Sequence, residues 1–589
     1  MNRMLSMISK RLPFLIGFCA LAVSIGLPAQ AGPAPAPFDY TLLQQLSIHE
    51  DARSKPLDTF ARETMRLITS REYWPESKVK SNFLARDPMT NLLSMLFEPD
   101  QWKDIPVIHL GSADVKKTLG IDPMQEWASY NDLKNNSAFR DAFKEIMRKQ
   151  QVDEKLSDTD HKLGDLHGVL NRMDGIFYGT DLKIVPIKQE GSEAVWVSLD
   201  EISRLENSDA IRTGFQNLMN GFLTSDRELF NSGTMALITN LRERGGVDYP
   251  TAKVLGYEIA YNEFKPFRKA WLFLLLGTIL FAVSMGLSNP MAYYGAWAMT
   301  LIGFLLSSYG LGLRVLIAGR PPVSNMYESV VYMGWGVLLF AGIFELVYRQ
   351  KIFGLCGAAM GVIVLTLADM LPFDPSISPL VPVLRSNYWL LIHVMTIVIS
   401  YSAFALAMGI AHLALSFYLF SPHKKDLIRI SNNFVYRAIQ VGVLLLTAGT
   451  ILGGVWANES WGRFWGWDPK ETWAFISILG YLALLHARFT GLVGPFGVSV
   501  GAVIGFQLIL MTWYGVNFIL ATGLHSYGFG AGGQGYVAAY LAIESAFLGL
   551  VAFRYKFFGD SLRTLLQRES DTKKPHKGTG GPAQPETAT

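Results

Sequence analysis

Hydrophobic and polar positions follow two regimes along the chain. From residue 269 onward, apolar runs long enough to cross a bilayer, which takes ~20 residues, succeed one another near 270–287, 293–314, 327–348, 353–371, 388–418, 434–456, 473–489, 497–520 and 535–554. The fifth is overlong and predicts a helix that tilts or extends past the membrane. Ahead of these runs the pattern is mixed. Helical periodicity over Tyr40–Leu46, Pro56–Thr69, Met89–Phe97 and Phe139–Arg148 alternates with short β-type runs such as Ile105–Leu110 and Ala194–Leu199. The pattern therefore predicts a mostly α protein: a polytopic helical membrane bundle of about nine spans, preceded by a mixed α/β domain.

Charge sharpens the division. Of the 589 residues 17% are charged; 65 of these fall in residues 32–268 and 33 in residues 269–589, which excludes one uniform globular body. Residues 1–31 combine Arg3, Lys10 and Arg11 with the apolar run Phe14–Leu27 and the finish Ala29-Gln30-Ala31, a cleaved secretory signal rather than an uncleaved anchor. Residues 32–268 are then exported. With them outside, Arg349, Lys351, Lys424, Lys425, Arg429, Arg437, Arg488 and the basic tail from Arg554 fall inside, as the positive-inside rule requires. Arg314, Arg320 and Arg385 are exceptions on the outer side. The expected division is a signal peptide 1–31, an extracytoplasmic domain 32–268 of unassigned role, a transmembrane domain 269–557, and a cytoplasmic, disordered tail 558–589. The expected location is the bacterial cytoplasmic (inner) membrane. A formal charge of +3 and the lack of a Lys/Arg tract with aromatics give no nucleic-acid partner, and the two cysteines, Cys19 and Cys356, allow neither a CxxC pair nor a zinc knuckle.

Between the sixth and seventh runs stands a loop with Trp461, Phe464, Trp465, Trp467, Asp468 and Trp473. Interfacial tryptophans commonly form a belt, but four in thirteen residues exceed what a belt needs. Such a cluster offers broad rigid faces to a flat aromatic ligand. Asp468-Pro469-Lys470-Glu471 reads as a capping box with Pro at the first helical position, so the cap fixes the helix and the helix fixes the tryptophans.

Ionisable side chains within membrane segments are costly and point to function. His393 sits about two turns into the fifth run and His525 follows the eighth, both at the outer side and bracketing the aromatic loop. Paired imidazoles suit haem iron. His486 lies 18 residues beyond Asp468, ~27 Å along a helix, near the inner face; His412 also falls on the inner half. The residues thus describe a membrane protein that holds a planar metal macrocycle at its outer face, with a second position near the inner one. Histidine depth fits haem transit and electron transfer alike.

The run Trp461-Gly-x-x-Trp465-x-Trp467-Asp468-Pro-Lys-Glu-Thr-Trp473 resembles the tryptophan-rich WWD signature of haem-handling membrane proteins. Its continuation to Leu485-His486-Ala-Arg488, with Pro322-Val-Ser324-Asn325-Met-Tyr327-Glu328 and Asn517-Phe-x-Leu-x-Thr-Gly-Leu-His525, resembles the cytochrome c biogenesis CcsA branch over roughly 290–555. That resemblance implies System II cytochrome c synthesis, in which haem crosses the membrane and is offered to the CxxCH thiols of apocytochrome c. It implies non-covalent b-type haem in transit, ligated outside by His393 and His525 and inside by His486. It also implies a ResB/CcsB-like membrane partner as source of the second inner ligand, with His412 as the substitute within this chain. Arg320, Asn325 and Glu328 are expected to order the outer rim, although Asn325 with Glu328 also reads as a helix cap. The chain is on this view a component of a synthase whose chemistry needs no side-chain nucleophile. The competing class is a dihaem electron-transfer subunit with pairs His393/His525 and His412/His486.

Overall fold

The computed structural model describes residues 38–72, 87–187, 194–370, 373–379, 387–520, 522–525 and 534–558. The expected signal peptide, nearly all of the expected tail, and Arg385 lie outside the described residues.

Residues 38–249 form one hydrophobic core around Phe60, Trp102, Phe230 and Met173. Helices dominate it. Leu57–Thr69 and Pro88–Phe97 lie where the periodicity predicts them, and Phe139–Arg148 is the middle of a helix over Ser137–Gln151. Tyr40–Leu46 shrinks to a 3-10 turn, Leu43–Gln45, and Ile105–Leu110 to a two-residue strand, Ile108–His109. Among the described residues the strands form three separate antiparallel pairs: Ser47–Glu50 with Arg53–Pro56, Ile108–His109 with Trp127–Ala128, and Lys183–Ile187 with Val195–Ser198. Helices absent from the expectation, Asp158–Phe177, Asp209–Thr224 and Arg227–Gly245, supply much of the core.

This body is tied to the helix Ala252–Phe264, which runs into the first span. Arg53 makes a two-pronged bond to Glu258 at 2.7 and 2.9 Å. Asn262 donates to Asp58 and Thr59, and Lys265 pairs with Glu72. Lys265 takes a left-handed conformation, after which Pro266 opens the span.

Among the described residues nine helices are long and apolar enough to cross a membrane. They are Pro266–Leu287, Pro290–Ala318, Met326–Tyr348, Ile352–Met370, Asn387–Phe420, Lys425–Trp461, Pro469–Phe489, Pro495–Leu520 and Gln534–Phe558. The protein is a multi-pass membrane protein. All nine spans contribute buried residues to one core, which includes Phe404, Leu406, Val435, Leu446, Tyr481 and Ile509. The sixth helix starts nine residues before its apolar run: Ile428, Asn432, Val435 and Ile439 carry one buried stripe through the basic segment, while Arg429 and Arg437 stay exposed. The eighth changes from α to π geometry over Met511–Leu520, a rare form frequent at functional sites.

Two arginines that violate the charge rule have a partner. Arg314 and Glu328 are fully buried and paired at 2.8 Å. Arg314 also donates to Tyr261 Oη and to the carbonyls of Pro375 and Ser376, and Glu328 accepts from Arg320 and from Ser324. Asn325 caps the third span by accepting from Glu328 N at 2.8 Å and also donates to Ser376 O. Capping and rim ordering are thus the same set of contacts.

Candidate functional site

Because successive spans alternate in direction, the loop after span six and the segment after span eight emerge at the end from which the N-terminal body projects. His393 enters this end from span five. The spacing Gly449-x-x-x-Gly453 on span six lets helices approach closely, and the His393 ring occupies the gap. Its Nδ1 lies 2.7 Å from Gly449 O, and a Cβ at Gly453 would lie 2.4 Å from its Cε1. With Nδ1–H donated to that carbonyl, Nε2 keeps its lone pair.

His525 is fixed by a different device. Asp468 caps the seventh helix in a capping box with Glu471, as its sequence suggests, but the same carboxylate also holds His525. Its Oδ1 lies 2.9 Å from His525 Nδ1 and accepts from Lys470 N, and its Oδ2 accepts from Leu524 N at 2.7 Å. Gly523 makes this approach possible: its φ is +94°, and a Cβ there would stand 2.4 Å from Asp468 Oδ2. Burial alone would raise the Asp468 pKa, yet its hydrogen bonds from His525 and from the two backbone N–H groups hold it below the usual carboxylate range. A carboxylate on one imidazole nitrogen fixes the tautomer and leaves the other free for a metal.

The two histidines share one neighbour. Trp456 is 1% exposed; its ring lies 6.1 Å from His393, nearly parallel, and 5.7 Å from His525. Trp461 stands edge-on to His525 at 4.9 Å and touches Trp456 at 4.6 Å. Phe464 packs on Gly454. The other tryptophans go elsewhere: Trp465 and Trp467 form a second cluster with Phe475, and Trp473 makes no ring contact of that kind among the described residues. Trp467 is two-thirds exposed and sits at φ +55°, a strained conformation for a bulky residue. Lys470 Nζ donates to Asn517 on the π segment at 3.0 Å.

Trp456 is absent from the sequence-derived set because it closes an apolar run and reads as the end of a span. A signal was available: at three and seven residues beyond Gly453 and Gly449 it shares their helix face.

At the opposite end of the bundle His486 donates Nδ1–H to Leu482 O at 2.7 Å and is exposed. It lies on the face of span seven that also carries Phe475, Leu479 and Ala483, away from the buried Ala474, Ser477, Ile478 and Tyr481. His412 has both nitrogens engaged, Nδ1 with Met408 O and Nε2 with Glu544 Oε2, each at 2.9 Å. The structure does not bring His412 and His486 together in any ring contact among the described residues.

Residues 323–525, a window that begins at the rim and closes on His525, match the family described as Cytochrome C assembly protein. The CcsA protein of Guillardia theta is 37% identical over 264 residues, which cover 40% of this chain and 86% of that protein. The chain belongs to the CcsA family. A CcsA of Prochlorococcus marinus is 38% identical over 263 residues, 39% of this chain and 82% of that one. The protein NrfI of Wolinella succinogenes is 32% identical over 503 residues, 81% of this chain. That share exceeds what the membrane spans can supply, so the likeness extends into the N-terminal body of this CcsA-family chain. The chain spans about half the length of NrfI, 53%. Cytochrome c biogenesis is thus the process to which the family belongs.

Proposed function

We propose that this CcsA-family chain binds haem at His393 and His525 and presents it, outside the cytoplasmic membrane, to the CxxCH thiols of apocytochrome c. The observation that carries this reading is the paired treatment of the two imidazoles. Each spends Nδ1 on a fixed acceptor, keeps Nε2 free, and borders the same buried indole. That donor set fits a bis-His haem. Haem supplies the iron and the vinyl groups, to which a cysteine S–H adds. The chain supplies the rest: Gly449 and Asp468 orient the ligands, Trp456 and Trp461 exclude water beside them, and the capped seventh helix holds the loop.

Haem is taken up at the inner end through His486. An imidazole on an exposed apolar face is costly within a membrane, which supports a ResB/CcsB-like subunit docking there with the second ligand. The dihaem electron-transfer reading needs two imidazoles with free nitrogens at that end, and His412 has none to spare. Purified complex should carry haem that moves to a CxxCH peptide in the presence of reductant. His393→Ala and His525→Ala should each remove the bis-His spectrum of the outer site and stop maturation without preventing insertion. Normal maturation in both variants, or haem that accepts electrons from quinol and never transfers, would sink this reading.

A further inference from the structure

We propose that the segment from Trp456 to Arg463 is a cradle for the carboxylates of haem, so that the propionate edge of the ring is held there and the vinyl edge is turned away from it. This rests on His393 and His525 being the ligands of the outer site.

Four side-chain atoms in these eight residues are buried and have no hydrogen-bond partner among the described residues: Trp456 Nε1, Ser460 Oγ, Trp461 Nε1 and Arg463 Nη1. Buried polar groups are nearly always paired, so a run of four marks a place for a ligand. Their chemistry names the ligand's. Indole and guanidinium N–H groups only donate, and the hydroxyl can; the complementary group has several acceptor oxygens and, facing a guanidinium, negative charge. Haem carries two such groups, both carboxylates on one edge.

The position agrees. Trp456 borders both histidines and Trp461 borders His525. The Arg463 guanidinium lies 5.8 Å from the Trp461 ring and rests against Gly466, where a Cβ would fall 1.3 Å from Nη1. Only glycine at 466 leaves that seat open. Of the acidic groups nearby, Glu459 is exposed, and Asp468 and one oxygen of Glu471 are committed elsewhere. Asp468 serves His525, Leu524 and Lys470, and Glu471 Oε2 accepts from Gly466 N and Asp468 N. The other Glu471 oxygen is 3.5 Å from Arg463 Nη1, too long for a hydrogen bond, and is itself unpartnered. It holds the guanidinium in the site without satisfying it. Charge-assisted bonds from arginine to carboxylate are the strong class, so Arg463 carries most of the selectivity and the two indoles add direction.

The test compares ferrihaem with its dimethyl ester, which has the same iron and ring but no carboxylates. Each is titrated into the purified complex and read by its bis-His absorbance, with His393→Ala as the blank. Wild type should bind ferrihaem at least about tenfold more tightly than the ester, the order of one charge-assisted hydrogen bond. Arg463→Gln should bring that ratio to near one while retaining the bis-His spectrum, and Trp461→Phe, which keeps the ring but not the N–H, should lower it partway. Equal affinities in wild type, or an unchanged ratio in Arg463→Gln, would overturn the cradle. A bis-His signal that survives His393→Ala would instead overturn the ligand assignment, and the two failures are told apart by the spectrum alone.

Discussion

Asp468→Asn separates two jobs that one carboxylate performs. As a helix cap, Asn is nearly equivalent to Asp, so the seventh helix should lose at most a few tenths of a kcal/mol. As the partner of His525 it is not equivalent. Asp468 receives N–H groups from Lys470, His525 and Leu524 on its two oxygens, besides the capping-box bond from Glu471 N. Asn offers one oxygen and turns an NH2 toward a donor, and the negative charge beside the imidazole is gone. Loss of such an outer partner weakens metal binding by about 10- to 100-fold, ~1.4–2.8 kcal/mol at 1.4 per decade. The imidazole also becomes a weaker base, so the iron potential should rise. Haem titration of the purified complex, its redox midpoint and its thermal unfolding together decide the matter. The expected result is weaker haem binding and a higher potential with little change in unfolding. An affinity within twofold of wild type would refute the coupling and leave Asp468 as a cap alone.

Other substitutions test other joints of the same argument. Acidification should release His525 late. Because the folded Asp468 pKa is depressed, its contribution is fully present above the unfolded value and lost only as pH falls through the folded one; wild-type haem loss below the usual carboxylate range, but not in a plateau above it, is the outcome to look for in a pH-jump absorbance series. Gly453→Ala puts a methyl group into His393, overpacking worth ~1–3 kcal/mol, and should abolish the bis-His spectrum; an unaltered spectrum would mean that the ring is not seated on span six. Glu328→Gln strands the buried charge of Arg314, a loss of about 3–5 kcal/mol, visible as a lowered unfolding temperature in detergent. His412→Ala should leave haem at both sites and maturation largely intact, whereas His486→Ala should deplete both; loss of haem on His412→Ala would restore it as an inner ligand.

The membrane half was legible because apolar length is itself the physical requirement for a span, and the capped start of span seven because Asp-Pro-Lys-Glu has few other uses. The start of span six was hidden: its first turns put arginines on the exposed face, and hydropathy averages that face with the buried one. In the N-terminal body, the paired helices Asp209–Thr224 and Arg227–Gly245 escaped for a related reason. Their glycines lower helix propensity, yet they are what lets the two helices meet. A Cβ at Gly221 would lie 2.3 Å from Phe230 N and one at Gly233 2.4 Å from Leu218 N. At the site, the histidines stood out by their cost in a membrane. The partition of the tryptophans did not, since which of them meets His525 depends on how the loop folds back.

On the proposed reading, the two ends of the bundle differ in completeness. At the end with the tryptophan loop, one chain supplies both imidazoles, their orienting acceptors and the buried indole they share. At the other end it supplies one exposed imidazole, His486, and turns its remaining candidate, His412, to Glu544. Span nine, which carries Glu544, is mostly exposed along its length, so this bond is among the few polar ties that seat it. Recruiting His412 to iron would break that tie and strand the carboxylate in the membrane. Completing the inner site from a second chain needs no such rearrangement: the partner meets a stripe of span seven that is already apolar, exposed and headed by a free nitrogen. The energetics therefore favour a chain that finishes its outer site alone and leaves its inner site to be finished by another.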